Sequence, residues 1–350
     1  MSLCVSIKKA FQGFRLEVEF DTATSTMGIL GASGCGKTMT LKCIAGIETP
    51  DAGRIAVDGR VLFDSAAKIN LRPQQRRVGY LFQDYALFPN MTTAQNIGCA
   101  LKLPKEEKRQ RVEGLVRRFQ LEGLENRFPH QLSGGQQQRA ALSRMLATEP
   151  EIVLLDEPFS ALDAHLREQL QLQLAQVLAN QSNAIMVTHS RDEAYKLCGG
   201  LLVMENGRAV ALGDTKSMFR DPRAVQVARL TGCKNISRAQ RCGEYRVRAL
   251  DWGLELRTAR PVGEDVTYVG VRAHDFHPVY SPSAPQDNLI PVEVTGQSED
   301  PFEWNILFQN AQGGSPLWWK YPKPEKELPS HLLLPPEALL LLTGTDTASK

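Results

Sequence analysis

Two glycine-rich stretches decide the fold: Leu132-Ser133-Gly134-Gly135-Gln136 and, well upstream of it, Gly31-Ala32-Ser33-Gly34-Cys35-Gly36-Lys37-Thr38. In the first, Ser133 and Gln136 have the S-x-x-Q spacing of a capping box, which predicts that a helix begins there. Free backbone N–H groups at a helix start favour an anion. The chain therefore offers two anion cradles, and the phosphates of one nucleotide fully need only one. We expect the second cradle to serve a nucleotide held by another copy.

The upstream stretch is a phosphate loop in the context that its mechanism requires. It follows an apolar run at 27–30, predicted to be a buried strand, and opens a helical pattern at 38–47. Glycines let the backbone curl its N–H groups around a β-phosphate. Lys37 is expected to bridge the β- and γ-phosphates, and the Thr38 hydroxyl to bind Mg²⁺. The predicted ATP contacts are Gly31, Ala32, Ser33, Gly34, Cys35, Gly36, Lys37 and Thr38.

Two further polar sites follow apolar runs. Asp156 and Glu157 come after a run at 152–155, and His189 comes after a run at 184–188. Open α/β sheets bind ligands at the carboxyl ends of such strands. Neighbouring strand residues point in opposite directions, so the two carboxylates should have different tasks. We expect Asp156 to bind Mg²⁺, Glu157 to orient and polarise the attacking water, and His189 to contact the γ-phosphate. A plain strand-end histidine is the alternative for His189.

The order of these motifs resembles an ABC transporter ATP-binding subunit. The resemblance covers about the first 230 residues and includes Gln83, Leu154-Leu155-Asp156-Glu157-Pro158 and Ser160-Ala161-Leu162-Asp163. In that family two copies sandwich two ATP molecules. By position, Gln83 would touch Mg²⁺ and the attacking water. The trans contacts to the partner's nucleotide would come from Ser133, Gly134, Gly135, Gln136 and Asp163, with Asp163 at the dimer junction.

The same resemblance implies an aromatic residue stacked on adenine. The candidates are Phe11 and Phe14, which precede the phosphate loop. Phe11 better matches the family position, although the segment from it to Gly31 is shorter than usual. Core packing is the alternative, and it stays open for Phe14.

The chain length and the change in its hydrophobic pattern predict two domains, since domains with a single hydrophobic core rarely exceed roughly 250–300 residues. Residues 1–232 alternate apolar runs with helical patterns, which predicts an α/β domain with a mostly parallel sheet, and the resemblance implies that it is a P-loop ABC ATPase domain. A helical subdomain is expected at about 85–150 within it. Residues 233–350 alternate apolar and polar positions, as small all-β domains do. This part resembles, less clearly, the TOBE-type (OB-like) domain of importer ATPases.

Composition limits the kinds of partner and the cellular compartment that we expect for this protein. The net charge is +2, which argues against nucleic acid as the main partner. The seven scattered cysteines and the lack of a secretory leader predict a reducing compartment. No apolar run is long enough to span a bilayer. Together with the resemblance, this predicts a homodimer on the cytoplasmic face of the membrane. Its partners would be permease subunits and, indirectly, an extracytoplasmic substrate-binding protein.

The predicted function is ATP hydrolysis that powers import. Residues 59–64 and 71–80 look most like the ATPase of molybdate importers, while sulfate and other oxyanion or sugar importers share much of this pattern. A soluble ABC ATPase acting on DNA or translation usually carries tandem cassettes or a long coiled coil, and this chain has neither. A nucleotide-binding regulator without turnover would lack the base, yet Glu157 is present.

Overall fold

A computed structural model describes residues 2–22, 26–160, 162, 164–179, 183–282, 286–310, 313–323 and 328–344. The chain divides into two compact units, Met1–Lys216 and Ser217–Lys350. The sequence-based domain boundary at 232/233 stays a prediction.

The strands of the first unit form one mixed sheet, in the order β6-β5-β4-β1-β2-β11-β10-β3-β9-β8-β7. They are β1 (Leu3–Phe11), β2 (Phe14–Asp21), β3 (Thr26–Gly31), β4 (Ala52–Val57), β5 (Arg60–Asp64), β6 (Ile69–Asn70), β7 (Val78–Leu81), β8 (Ile152–Asp156), β9 (Ala184–Thr188), β10 (Gly200–Glu205) and β11 (Arg208–Asp214).

The helices of this part are α1 (Lys37–Ala45), α2 (Thr93–Gly98), α3 (Lys105–Arg118), α4 (Gly134–Ala147), α5 (Ala164–Ala179) and α6 (Arg191–Leu197), and α7 (Thr215–Arg220) begins at the end of this unit and continues into the second. Between β7 and β8 the chain forms α2, α3 and α4, which agrees with the helical subdomain expected at about 85–150.

The central strands are buried on both faces, which explains their unbroken apolar sequence. In β8, Val153 and Leu155 join one apolar cluster with residues of α3 and α4, while Ile152 and Leu154 join another with residues of α1. This two-residue alternation places helices against both faces. The carboxyl ends of β3, β8 and β9 lie side by side, because β3–β9 and β8–β9 are parallel pairs.

The expectation of a mostly parallel sheet holds for the adjacent strands β10, β3, β9, β8 and β7, and for the single pairing of β2 with β11. The pairs β1–β2, β1–β4, β4–β5, β5–β6 and β10–β11 are antiparallel. Two of these pairs, β4–β5 and β10–β11, are hairpins closed by tight turns. Asp58-Gly59 and Asn206-Gly207 have φ of 48° and 80° in each turn, the left-handed geometry of two-residue hairpins. Both dipeptides are sequence signals for hairpins.

Among its described residues, the second unit contains two five-stranded sheets, ordered β14-β13-β12-β15-β21 and β16-β20-β17-β18-β19. Its core includes Trp319 and the edge-to-face pair Phe276–Phe308, whose ring centroids are 5.2 Å apart. The β-rich second domain is confirmed. The elements are α8 (Val225–Leu230), β12 (Asn235–Gly243), β13 (Arg246–Ala249), β14 (Leu254–Arg257), β15 (Tyr268–Val271), β16 (His277–Val279), β17 (Leu289–Glu299), β18 (Glu303–Asn310), β19 (Leu317–Pro322), β20 (His331–Leu333) and β21 (Leu340–Leu342).

Arg76 is fully buried and holds the carboxyl end of α1. Its guanidinium donates to the carbonyls of Cys43 and Ile44, each at 2.8 Å, to the carbonyl of Leu71 at 2.8 Å, and to Oδ1 of Asn70 at 2.9 Å. None of these acceptors is a carboxylate. Burial lowers the pKa of Arg76, and the negative end of the helix dipole favours its charge.

Replacing Arg76 by Met is expected to lower the free energy of unfolding by about 3 kcal/mol or more, because several buried carbonyls would lose their donor. Urea denaturation followed by circular dichroism measures this. Arg77→Met is the matched control, since Arg77 is exposed and its 2.8 Å pair with Glu151 is a surface ion pair worth about 0–1 kcal/mol. Equal midpoints for the two variants would show that Arg76 does not brace α1.

Candidate functional site

The phosphate loop joins β3 to α1, and its glycines are required by contacts and by backbone angles. A Cβ on Gly31 would lie 2.4 Å from the carbonyl oxygen of Met204. Gly36 has φ of 103°, and a Cβ there would lie 2.7 Å from Leu16. Larger residues would push the loop off the sheet or strain its left-handed backbone. Between these two positions, Ala32, Ser33 and Gly34 are exposed, so this stretch of backbone faces solvent.

Lys37 and Cys35 are the buried side chains of this loop. The Lys37 ammonium donates to the carbonyls of Gly31 and Ala32, at 2.8 and 3.0 Å, and therefore ties the end of the loop to its start. Burial raises the pKa of the Cys35 thiol. A protonated, buried thiol is a poor redox sensor.

Asp156 and Glu157 face different partners, although Glu157 lies just beyond the end of β8 rather than in the strand. Asp156 is 4% exposed, and its Oδ1 accepts a 2.8 Å hydrogen bond from the Thr38 hydroxyl. Oε2 of Glu157 lies 3.4 Å from Nδ1 of His189. Glu157 has φ of 45°, a left-handed backbone of the kind that concentrates at functional sites. The structure thus brings Thr38, Asp156, Glu157 and His189 to one edge of the sheet.

A closed set of hydrogen bonds fixes the backbone around His189. The Thr188 hydroxyl donates to Oε2 of Glu193 at 2.5 Å and accepts from the amide of Ser190 at 2.9 Å. The Ser190 side chain in turn accepts from the amide of Glu193, which caps α6. Burial raises the pKa of Glu193. His189 itself stays exposed, so its ring is held at the surface beside Glu157.

Gln83 lies exposed in the turn that follows β7. Two residues of the next turn are strained, with φ of 61° at Tyr85 and 43° at Ala86. Arg144 of α4 donates to both of their carbonyls, at 2.9 and 2.7 Å. The helical subdomain therefore supports the loop that carries Gln83.

Asn96 supports the following segment. It is buried, donates to the carbonyls of Phe88 and Met91, and accepts from the amide of Phe88 at 2.8 Å. The sequence reasoning missed Asn96, because its partners lie in an irregular loop that no periodic pattern marks.

The capping box at the start of α4 is confirmed. The Gln136 side chain accepts from the amide of Ser133 at 2.8 Å, and the Ser133 hydroxyl accepts from the amide of Gln136 at 3.4 Å. Ser133 and Gly134 are exposed, whereas Gly135 is buried and Gln136 half-buried. Asp163, the other residue expected to act on a partner's nucleotide, lies outside the described residues.

Phe11 and Phe14 are neighbours at the β1–β2 hairpin, with ring centroids 6.1 Å apart. Phe14 lies against the phosphate loop, since a Cβ on Gly36 would be 3.0 Å from its Cζ. Both rings are partly buried and pack against the apolar cluster that contains α1. Which of them stacks on adenine stays a prediction.

Tyr80 is a site residue that the sequence reasoning missed. Its hydroxyl donates to Oδ2 of Asp156 at 2.8 Å, and burial raises the pKa of this phenol. Its position three residues before Gln83, in a strand, marks Tyr80 as a candidate, but the local sequence does not show which strand lies beside it.

The residues fit ATP with Mg²⁺. The exposed backbone between Gly31 and Lys37 suits phosphate oxygens, and the Thr38 hydroxyl with the Asp156 carboxylate supplies the oxygen ligands that Mg²⁺ prefers. Within the described ranges, no group of three or more His, Cys, Asp or Glu side chains could hold a metal ion. A cation here would bind to these two residues, to the phosphates and to the amide oxygen predicted for Gln83. Among the described residues, no helix has the length and apolar character needed to cross a membrane.

Comparisons with known proteins agree with this geometry. The model of the family "ABC transporter" matches residues 17–160. The Fe(3+) ions import ATP-binding protein FbpC of Haemophilus influenzae is 41% identical over 208 residues, which are 58% of this chain and 59% of that protein. The sulfate/thiosulfate import ATP-binding protein CysA of Caulobacter vibrioides is 41% identical over 260 residues, which are 71% of this chain and 73% of that protein.

Among solved structures, the dimeric post-hydrolysis state of the ATP-binding cassette MJ0796 bound to ADP and Pi is similar to this chain. It has a TM-score of 0.53 and 26% identity and covers 61% of this chain and 99% of that chain. The chain thus spans less than two thirds of the Haemophilus relative and more than two thirds of the Caulobacter relative. It belongs to the family of ABC transporter import ATP-binding subunits.

Proposed function

We propose that this chain hydrolyses ATP to power a membrane importer. The observation that carries the proposal is the convergence of Thr38, Asp156, Glu157 and His189 beside the phosphate loop. Bound Mg²⁺ would offset the charge of the phosphates. Thr38 and Asp156 would hold the cation, while Lys37 would leave its two carbonyl partners and donate to the β- and γ-phosphates.

Glu157 is proposed as the group that orients and polarises the attacking water. Its carboxylate is mostly buried, next to a more exposed His189, so it can accept a proton from water at the edge of the sheet. His189 would donate to the γ-phosphate, and the bonds among Thr188, Ser190 and Glu193 would keep its backbone in place. Gln83 would complete the contacts to Mg²⁺ and water.

Two copies of the chain are proposed to form each site together. Ser133 and Gly134 are exposed at the start of α4, so this helix N-terminus can approach an anion on another molecule. The similar ATP-binding cassette MJ0796 is likewise dimeric in its solved structure. Ser133, Gly134, Gly135 and Gln136, with Asp163, would then contact the partner's nucleotide.

A permease subunit is proposed to dock on the helical subdomain, which would place the dimer on the cytoplasmic face of the membrane. A cavity of about 1100 Å³ lies between α2 and α3, with Met91, Ala94, Val112 and Val116 among its lining residues. The exposed Phe88 lies close by, since Asn96 binds the carbonyls of both Phe88 and Met91. An apolar groove with a charged rim suits a short amphipathic helix.

For the cargo we propose molybdate, supplied by an extracytoplasmic binding protein. The support is the resemblance of residues 59–64 and 71–80 to molybdate importers. Arg76 within that segment serves the fold by holding α1, so the segment is partly explained without reference to cargo. Sulfate is the second candidate, because the Caulobacter relative named for sulfate and thiosulfate is similar over 71% of this chain.

Deleting the gene is expected to abolish high-affinity molybdate uptake and to lower molybdenum-enzyme activity, which millimolar molybdate should restore. Uptake of labelled molybdate, sulfate and Fe³⁺ is measured in one deletion strain, complemented with the wild-type chain or with Glu157→Gln as the control for hydrolysis. If molybdate uptake is normal and sulfate uptake is lost, the proposed cargo is sulfate and not molybdate. If uptake of all three ions is unchanged, the chain does not power the import of any of them.

A further inference from the structure

The two carboxylate oxygens of Asp156 are held by donors from two different elements. Oδ1 accepts from the Thr38 hydroxyl of α1, and Oδ2 accepts from the Tyr80 hydroxyl of β7, both at 2.8 Å. The Asp156 side chain is nearly inaccessible to solvent. Its orientation is therefore set by these two hydroxyls rather than by water.

The position of the Tyr80 hydroxyl is itself well determined. Strand β7 runs parallel to β8, with Tyr80 paired to Leu154, so the phenol reaches along the strand to the carboxylate two residues further on. The ring is half-buried, packs against the apolar cluster that contains α1, and lies 4.4 Å from the ring of Phe82 between their centroids. A hydroxyl on such a packed ring is a fixed donor.

We propose that Tyr80 is a positioning residue that orients Asp156 for the divalent cation, an inference that rests on the proposed function. The terminal torsion of an aspartate is soft and roughly two-fold. A donor on Oδ2 stops that rotation and keeps Oδ1 on the side of Thr38, where the cation would bind. Partners of this kind behind a metal ligand are typically worth about 10–100-fold in metal affinity.

Tyr80→Phe removes only the hydroxyl and keeps the ring against Phe82. We expect it to weaken Mn²⁺ binding to the full-length chain with ADP by about tenfold, as measured by electron paramagnetic resonance of free Mn²⁺. Nucleotide binding without a divalent cation should be unchanged, because the phosphate loop is intact. The Mg²⁺ concentration for half-maximal ATPase activity should rise by a similar factor, and activity should recover at saturating Mg²⁺.

Tyr245→Phe is the matched control, since it removes an exposed phenol hydroxyl from the second unit and should leave Mn²⁺ binding unchanged. The proposal is overturned if Tyr80→Phe binds Mn²⁺ as tightly as the wild type, or if nucleotide binding without cation falls by the same factor. The Mn²⁺ measurement needs no turnover. A wild-type chain that binds Mn²⁺ with nucleotide yet never hydrolyses ATP would therefore refute the proposed function and still test Tyr80.

Discussion

Replacing Glu157 by Gln is expected to lower steady-state ATP hydrolysis by about a hundredfold or more, since general base catalysis contributes about 10²–10⁴-fold. The amide has nearly the shape of the carboxylate but cannot accept the proton of the attacking water. ATP binding should persist, because Lys37, Thr38 and Asp156 are unchanged. Without hydrolysis the two copies should stay closed on two ATP molecules.

Phosphate release with the permease partner present measures the loss of activity, and size-exclusion chromatography with ATP and Mg²⁺ measures the trapped dimer. Glu149→Gln is the matched control, because Glu149 is an exposed acid paired with Arg111 on the surface, and it should hydrolyse ATP like the wild type. If Glu157→Gln hydrolyses ATP at nearly the wild-type rate, Glu157 is not the catalytic base.

Replacing Ser133 by Arg is expected to block hydrolysis without lowering the ATP affinity of the isolated monomer. Ser133 is exposed at the start of α4, and in the proposed dimer it faces the other copy's γ-phosphate. A long side chain there would obstruct the approach of that phosphate to the amides. Fluorescent ATP titration of the monomer and phosphate release of the dimer measure the two quantities.

A mixing experiment tests whether Ser133 acts on its partner. Ser133→Arg keeps an intact phosphate loop, and Lys37→Ala keeps an intact helix start at Ser133. A heterodimer of the two therefore contains one complete site, whereas either variant alone contains none. The mixture should trap nucleotide or hydrolyse ATP above the level of each variant alone. Equal, negligible levels in all three samples would contradict a shared site.

Much of the local chemistry could be predicted from the sequence. The capping box of Ser133 and Gln136 spans three residues, so its hydrogen bonds depend on nearby backbone and side-chain geometry. The phosphate loop could be recognised because its glycine pattern stands between an apolar strand and a helical pattern, although the contacts that require Gly31 and Gly36, with Met204 and Leu16, come from other strands. The apolar runs before Asp156 and His189 also placed both residues correctly at strand ends, because buried strands have a recognisable composition.

The tertiary structure alone decided which of these segments meet. Tyr80 reaches Asp156 and Arg76 reaches the end of α1 only because β7 lies beside β8 and the segment before it packs under α1. Strand order and register depend on packing over the whole sheet, and a run of apolar residues fits next to several neighbours equally well. The sequence by itself determined the phosphate loop, the helix start at Ser133 and the polar strand ends. Long-range packing determined that Tyr80 donates to Asp156 and that Arg76 donates to the end of α1. Hydrogen bonds between residues distant in sequence form only once the strands have paired.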